Sequence, residues 1–108
     1  MIWKKAMDIV EKTYNITSRL PSEERFALVS QLNRCAVSIP SNIAEGSDRS
    51  TEKDFIKFLN MALSSSFELE TQLLLAKRLF NMNVESHLTD LNELQKMITG
   101  FKRKLSNV

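Results

Sequence analysis

From Phe55 to Phe80 the chain places Phe55, Leu59, Ala62, Ser66, Leu69, Leu73, Ala76 and Phe80 at alternating spacings of four and three. Side chains recurring every 3.5 residues stay on one side of an α-helix, whereas a strand needs a period of two. The run therefore predicts a single long helix carrying a heptad seam. Its start signal is Ser50 or Thr51, with Glu52 and Asp54 in the first turn, and it ends near Phe80. At ~1.5 Å per residue it is roughly 45 Å long.

The other apolar residues repeat in the same way. Helix one is expected from about Ile2 to Leu20, with one stripe at Trp3, Ala6, Val10, Thr13, Thr17 and Leu20 and a second at Ile2, Ile9 and Ile16. Two stripes make a wide apolar face, suited to more than one neighbour. Pro21 interrupts the pattern, Ser22 is a good N-cap, and Glu23 and Glu24 suit the positive end of the next helix. Helix two then carries Leu28, Val29, Leu32, Cys35, Ala36, Ile39 and Ile43 to a stop at Gly46. After a polar break at Asn81 to Asn83, helix four carries Val84, Leu88, Leu91, Leu94, Ile98, Phe101 and Leu105. Gly100 inside it costs about 1 kcal/mol against alanine, which marks a close helix approach. The chain has only two glycines and two prolines, no Asn-Gly or Asp-Gly turn and no sustained alternation, so strands are not expected. With 108 residues, 43% hydrophobic and 26% charged, the sequence suits one ordered domain over residues 1–108. Four helices with short turns give an all-α, up-down-up-down four-helix bundle.

The stretch Ser38-Ile-Pro-Ser-Asn-Ile-Ala-Glu-Gly46 interrupts this regularity. Pro40 has no N–H and crowds the carbonyl of Ala36, which inside a helix costs ~3 kcal/mol or more and kinks it. Either helix two ends at Ile39 and a short helix follows, or one helix bends at Pro40. Ala36, Ile39 and Ile43 stay in phase across the proline, which favours the bend. Nearby serine and asparagine side chains are placed to satisfy freed backbone groups. Glu45 faces the negative end of the helix dipole and calls for a partner. Arg34, Ser38, Ser41 or Asn42, and Glu45 share one face, and Asn60, Ser64, Glu68 and Thr71 form a similar polar stripe on helix three. An Arg34–Glu68 ion pair across the two helices is the expectation.

These residues carry a resemblance. The run Gln31-Leu-Asn-Arg-Cys-Ala-Val-Ser-Ile-Pro-Ser-Asn-Ile-Ala-Glu-Gly46, followed by Arg49, Ser50, Phe55 and Leu59 and by Ser64-Ser-Ser-Phe-Glu-Leu-Glu-Thr-Gln-Leu73, resembles the bacterial four-helix bundle proteins encoded in 23S ribosomal RNA intervening sequences. The likeness covers nearly the whole chain, including Trp3 and Ala6; Cys35 between Arg34 and Ala36 departs slightly from the family pattern. It implies a left-handed bundle that assembles as a ring, typically a pentamer. The chain is also similar to the accessory variability determinant of diversity-generating retroelements, a basic pentamer that binds nucleic acid and a reverse transcriptase. In that light the shared motif is structural: Pro40 bends helix two, while Arg34, Asn42, Glu45 and Glu68 tie helices together.

Chemistry has little support in the sequence. His87 is the single histidine, so a di-iron bundle with two Glu-x-x-His motifs is excluded. It is expected as a surface residue in the first turn of helix four. Cys35 is the single cysteine and sits in apolar register, as a buried structural thiol suited to a reducing cytoplasm. There is no glycine-rich phosphate loop and no zinc spacing. Ser64, Ser65 and Ser66 read as small residues that permit close packing. No metal, cofactor or small-molecule substrate is expected, and no run reaches the ~18 apolar residues of a membrane span.

The net charge of +2 hides an asymmetry. In an up-down bundle the start of helix one, the turn between helices two and three, and the end of helix four share one end. That end gathers Lys4, Lys5, Arg49, Lys53, Lys57, Lys102, Arg103 and Lys104 against five carboxylates, whereas the other end carries four cations against three. Cyclic symmetry would repeat this excess around one face of a ring, where phosphates could bind with strong salt dependence. Lys102 to Lys104 equally complement the negative end of helix four, and Lys53 and Lys57 suit a solvated face. Two functions remain: a non-enzymatic, homo-oligomeric scaffold for RNA or an RNA–protein complex, or a protein–protein adaptor with no nucleic-acid role.

Overall fold

The computed structural model describes residues 1–106 as four helices. They are α1 (Ile2–Thr17), α2 (Ser30–Ser47), α3 (Glu52–Phe80) and α4 (Glu85–Ser106). Each packs against the next in sequence, and α4 closes back on α1, which is the up-down-up-down bundle. The particle measures 47 × 23 × 18 Å, its long axis matching the length of α3.

The seam of α3 packs as its spacing requires: Leu59, Ala62, Ser66, Leu69, Leu73 and Ala76 are buried and Phe55 and Phe80 partly so. Thr51 caps α3 by accepting a hydrogen bond from the Asp54 N–H at 3.1 Å. Thr51→Ala is expected to lower stability by about 1 kcal/mol in urea melts; an unchanged midpoint would show that the cap contributes nothing. Asn81 ends α3 in the left-handed conformation (φ 56°), its N–H bonded to the Lys77 carbonyl.

Helix one is shorter than its pattern, ending at Thr17 instead of Leu20. Its buried side is Ala6, Ile9, Thr13, Ile16 and Thr17, and Trp3 lies half-exposed beside it. The residues after Pro21 also depart from expectation. Ser22 makes no side-chain cap; instead a 3₁₀ turn (Ser22–Glu24) runs into a π-helical turn (Arg25–Val29) before α2 begins. The wider turn leaves Phe26 out in solvent while Leu28 and Val29 still reach the core.

Helix α2 continues through Pro40 as one element, so the break at Ile39 does not occur. Ser38 Oγ donates to the Cys35 carbonyl, Ser41 Oγ to that of Val37, and Asn42 Nδ2 to that of Ser38, each at 2.8 Å. The polar side chains thus support carbonyls flanking that of Ala36, whose partner the proline removes.

Neither glycine plays the role that its position suggests. Gly46 is not a left-handed cap: the helix runs on to Ser47, and neither glycine has positive φ. Gly46 is buried, and a Cβ there would lie 2.6 Å from Phe58 Cβ and 2.9 Å from Phe55 Cδ1. The close approach of two helices is therefore at Gly46. Gly100 is exposed, with nothing within 4 Å of an added Cβ, so the approach expected there is absent.

Candidate nucleic-acid interface

The eight cations named from the sequence are not equivalent. Lys5 is engaged along the α1–α4 seam, 2.9 Å from Glu93 and 4.0 Å from Asp90. Arg49 binds Glu45 at 2.8 Å and lies over the Phe58 ring at 4.5 Å. Lys102 donates to Asn60 Oδ1. Lys4, Lys53, Lys57, Arg103 and Lys104 are exposed and, among the described residues, make no ion pair. Five cations thus remain available for an external anion, and they stand at the end of the bundle formed by the start of α1, the start of α3 and the end of α4.

Two side chains there were not among the expected set. Lys96 is exposed on α4, one heptad before Arg103, and both line a shallow surface with Asn92, Gln95, Thr99 and Gly100. The seven-residue spacing was the available signal. Phe58, with Arg49, Asp54, Lys57 and Met61, lines an open hollow beside the α2–α3 turn.

The polar seam of α2 and α3 assembles differently from its expectation. Arg34 and Glu68 form no ion pair; both side chains are exposed. Both are close enough to Cys35 to act on its thiol. Burial pushes the Cys35 pKa up, Glu68 adds to this, and Gln72 and Arg34 oppose it. The thiol is a poor nucleophile in these surroundings. Glu45 finds its compensating cation in Arg49, and Asn42 bonds its own helix. Neither ties α2 to α3. Gly46 does so, through packing.

His87 overturns its expectation outright. It is buried, with Nε2 2.8 Å from Thr13 Oγ1. The Thr13 hydroxyl donates its own proton to the Ile9 carbonyl at 2.8 Å, so it accepts from His87 Nε2–H. That fixes the tautomer and leaves Nδ1 as a bare, buried acceptor with no partner. Burial, with the nearby Lys12 ammonium adding to it, lowers the His87 pKa to about 4. Lys12 is held by Asp90. The ring is a neutral strut between α1 and α4.

No group of three or more potential metal ligands exists among the described residues, and no helix is long and apolar enough to cross a membrane. The arrangement is an all-α, up-down four-helix bundle with a partly unneutralised basic end. A family model described as 23S rRNA-intervening sequence protein matches residues 1–100, and the chain belongs to that family. It is similar in structure to a crystallised protein of unknown function from the S23 ribosomal protein family of Bacteroides thetaiotaomicron VPI-5482. The TM-score is 0.87 at 27% identity, over 94% of this chain and 98% of that one. A search of curated proteins finds no match.

Proposed function

We propose that this protein is a non-enzymatic, homo-oligomeric helical bundle of the cytoplasm. It acts as a scaffold that binds RNA, or an RNA–protein complex, through its basic end. The observation that carries this reading is the set of five exposed cations, Lys4, Lys53, Lys57, Arg103 and Lys104, left without carboxylate partners at one end of the bundle. A pentameric ring would multiply that charge fivefold on one face, and the likeness to the accessory variability determinant makes a reverse transcriptase a candidate partner. Contacts through these lysines fall on phosphates and discriminate little between sequences; the Phe58 ring beside Lys57 is already stacked against the Arg49 guanidinium.

The test is a salt series of binding to a short single-stranded RNA. Log affinity is expected to fall linearly with log salt, and Lys53→Ala with Lys57→Ala is expected to reduce the slope by roughly 1.4. Absence of binding at about 50 mM salt would remove the nucleic-acid role. A second reading, the protein–protein adaptor, is favoured by the internal engagement of Lys5, Arg49 and Lys102 and by the extent of exposed apolar surface. It is the reading left standing if RNA does not bind.

A further inference from the structure

The chain enters α2 through an irregular turn. After the 3₁₀ turn at Ser22–Glu24 it widens into the π-helical turn Arg25–Val29. Such turns are rare and recur at functional sites. Here the turn leaves Phe26 89% exposed, the most exposed aromatic side chain among the described residues, while Leu28 and Val29 reach the core. An aromatic ring held out in water on an ordered turn is a surface with something to meet.

Phe26 lines a groove of about 620 Å³ between α1 and the start of α2, and Tyr14 of α1, itself 49% exposed, lines it too. That volume falls within the roughly 300–1,000 Å³ of small-molecule sites. The groove also contains the guanidinium groups of Arg25 and Arg34, and no carboxylate lines it. Neither arginine makes an ion pair among the described residues. The Arg25 guanidinium lies 5.9 Å from the centre of the Phe26 ring, so a cation and an aromatic face stand side by side. Asn33 and Ser30 complete the polar lining. The Thr17 hydroxyl holds Asn33 Oδ1 at 3.1 Å, which fixes the amide within the groove wall.

We infer that this groove binds an aromatic base that carries a phosphate: one unpaired nucleotide, free or within a single strand. Guanidinium forks match phosphate oxygens two at a time. The faces of Tyr14 and Phe26 can stack on any base, because every base has a π-face. A bare anion would answer the arginines and leave both rings in water. An apolar molecule would cover the rings and leave two guanidinium groups without counter-charge. An acidic peptide would carry its carboxylates on aliphatic stems, which offer no flat face to the rings. A nucleotide supplies the charge and the flat face together. The groove belongs to the other half of the bundle from Lys4, Lys53, Lys57, Arg103 and Lys104, so it is a second site and does not depend on them.

Equilibrium dialysis of the full chain tests this. Adenosine monophosphate is expected to be retained, with adenosine alone and inorganic phosphate alone each bound about tenfold or more weakly. Phe26→Ala removes a side chain that is almost wholly exposed, so circular dichroism should be unchanged, and it is expected to weaken nucleotide binding about tenfold or more. Arg34→Gln is expected to erase the preference for the nucleotide over adenosine. No retention at about 1 mM nucleotide, or undiminished retention by both variants, overturns the inference. The same variants are then titrated with single-stranded oligoadenylate. Weaker binding by Phe26→Ala assigns the groove to a nucleotide within a strand, and unchanged binding assigns it to the free nucleotide. Displacement of the nucleotide by fully paired RNA, whose bases are stacked on one another, would overturn the ring contact. Failure of the basic end shows instead as a missing salt dependence of RNA binding, so the two failures are told apart.

Discussion

Gly46→Val is expected to lower stability by about 3 kcal/mol, at the upper end of what overpacking a filled site costs. The Cβ of any larger residue would fall 2.6 Å from Phe58 Cβ. That carbon is fixed to the α3 backbone, so it cannot swing aside as the tip of a long side chain would. Relief requires α2 and α3 to move apart, and this weakens contacts along the pair that packs most extensively in the bundle. Gly100→Ala should do the reverse. Its Cβ enters open space on the exposed side of α4, and the gain in helix propensity stabilises by about 1 kcal/mol. Urea melts of the two variants provide the check. Equal tolerance at both positions would show that α2 and α3 do not approach as closely as described. Against a typical total of about 5–15 kcal/mol, the separation between the two outcomes is large.

The second large effect is acid sensitivity centred on His87. In the unfolded chain an imidazole binds its proton near pH 6.5; in the folded chain it resists protonation until about pH 4. Between these values the unfolded state binds more protons, so stability falls as pH falls. Above pH 6.5 both states are neutral and the full stability is present. The loss accumulated by about pH 4 is of order 3 kcal/mol. Protonation would place a second N–H at Nδ1, where no acceptor waits, and a charge beside Lys12. His87→Leu removes the titrating ring, and Thr13 still donates to the Ile9 carbonyl. The variant is expected to lose the slope between pH 6.5 and 4 that the parent shows. The Lys5–Glu93 and Lys12–Asp90 pairs are common to both proteins and cancel in the comparison. Parallel pH profiles would sink the assignment of His87 as the neutral strut.

His87 and Gly46 show where sequence reading stopped. The period that marked Leu88, Leu91 and Leu94 as core also brings position 87 inward, but histidine is seldom read as a core residue. Its acceptance there depends on Thr13, 74 residues away in the chain. Thr13 itself was placed correctly in the apolar stripe, so half of the pair was legible. For Gly46, the sequence offered a familiar meaning, a helix stop, and the structure required another, because closeness between helices is set by the partner Phe58. The basic end was legible as a charge excess, whereas the pairing of Lys5, Arg49 and Lys102 was not. Lys96 went unnoticed because the excess was counted at helix ends, and it lies a heptad before Arg103 on α4.

Local periodicity determined the four helices, their order, the buried seam of α3 and the core of α2, because each depends on how residues a turn apart share a face. The start of α3 at Ser50 or Thr51 and the polar break at Asn81 to Asn83 were legible for the same local reason, while the structure chose Thr51 as the cap and gave Asn81 its left-handed conformation. Tertiary structure alone decided which glycine lets two helices touch, that the single histidine is dry, which cations stay free and which apolar stripes remain bare. All four depend on distances between residues far apart in sequence, and a side chain's charge state, packing or exposure follows from whatever the fold sets beside it.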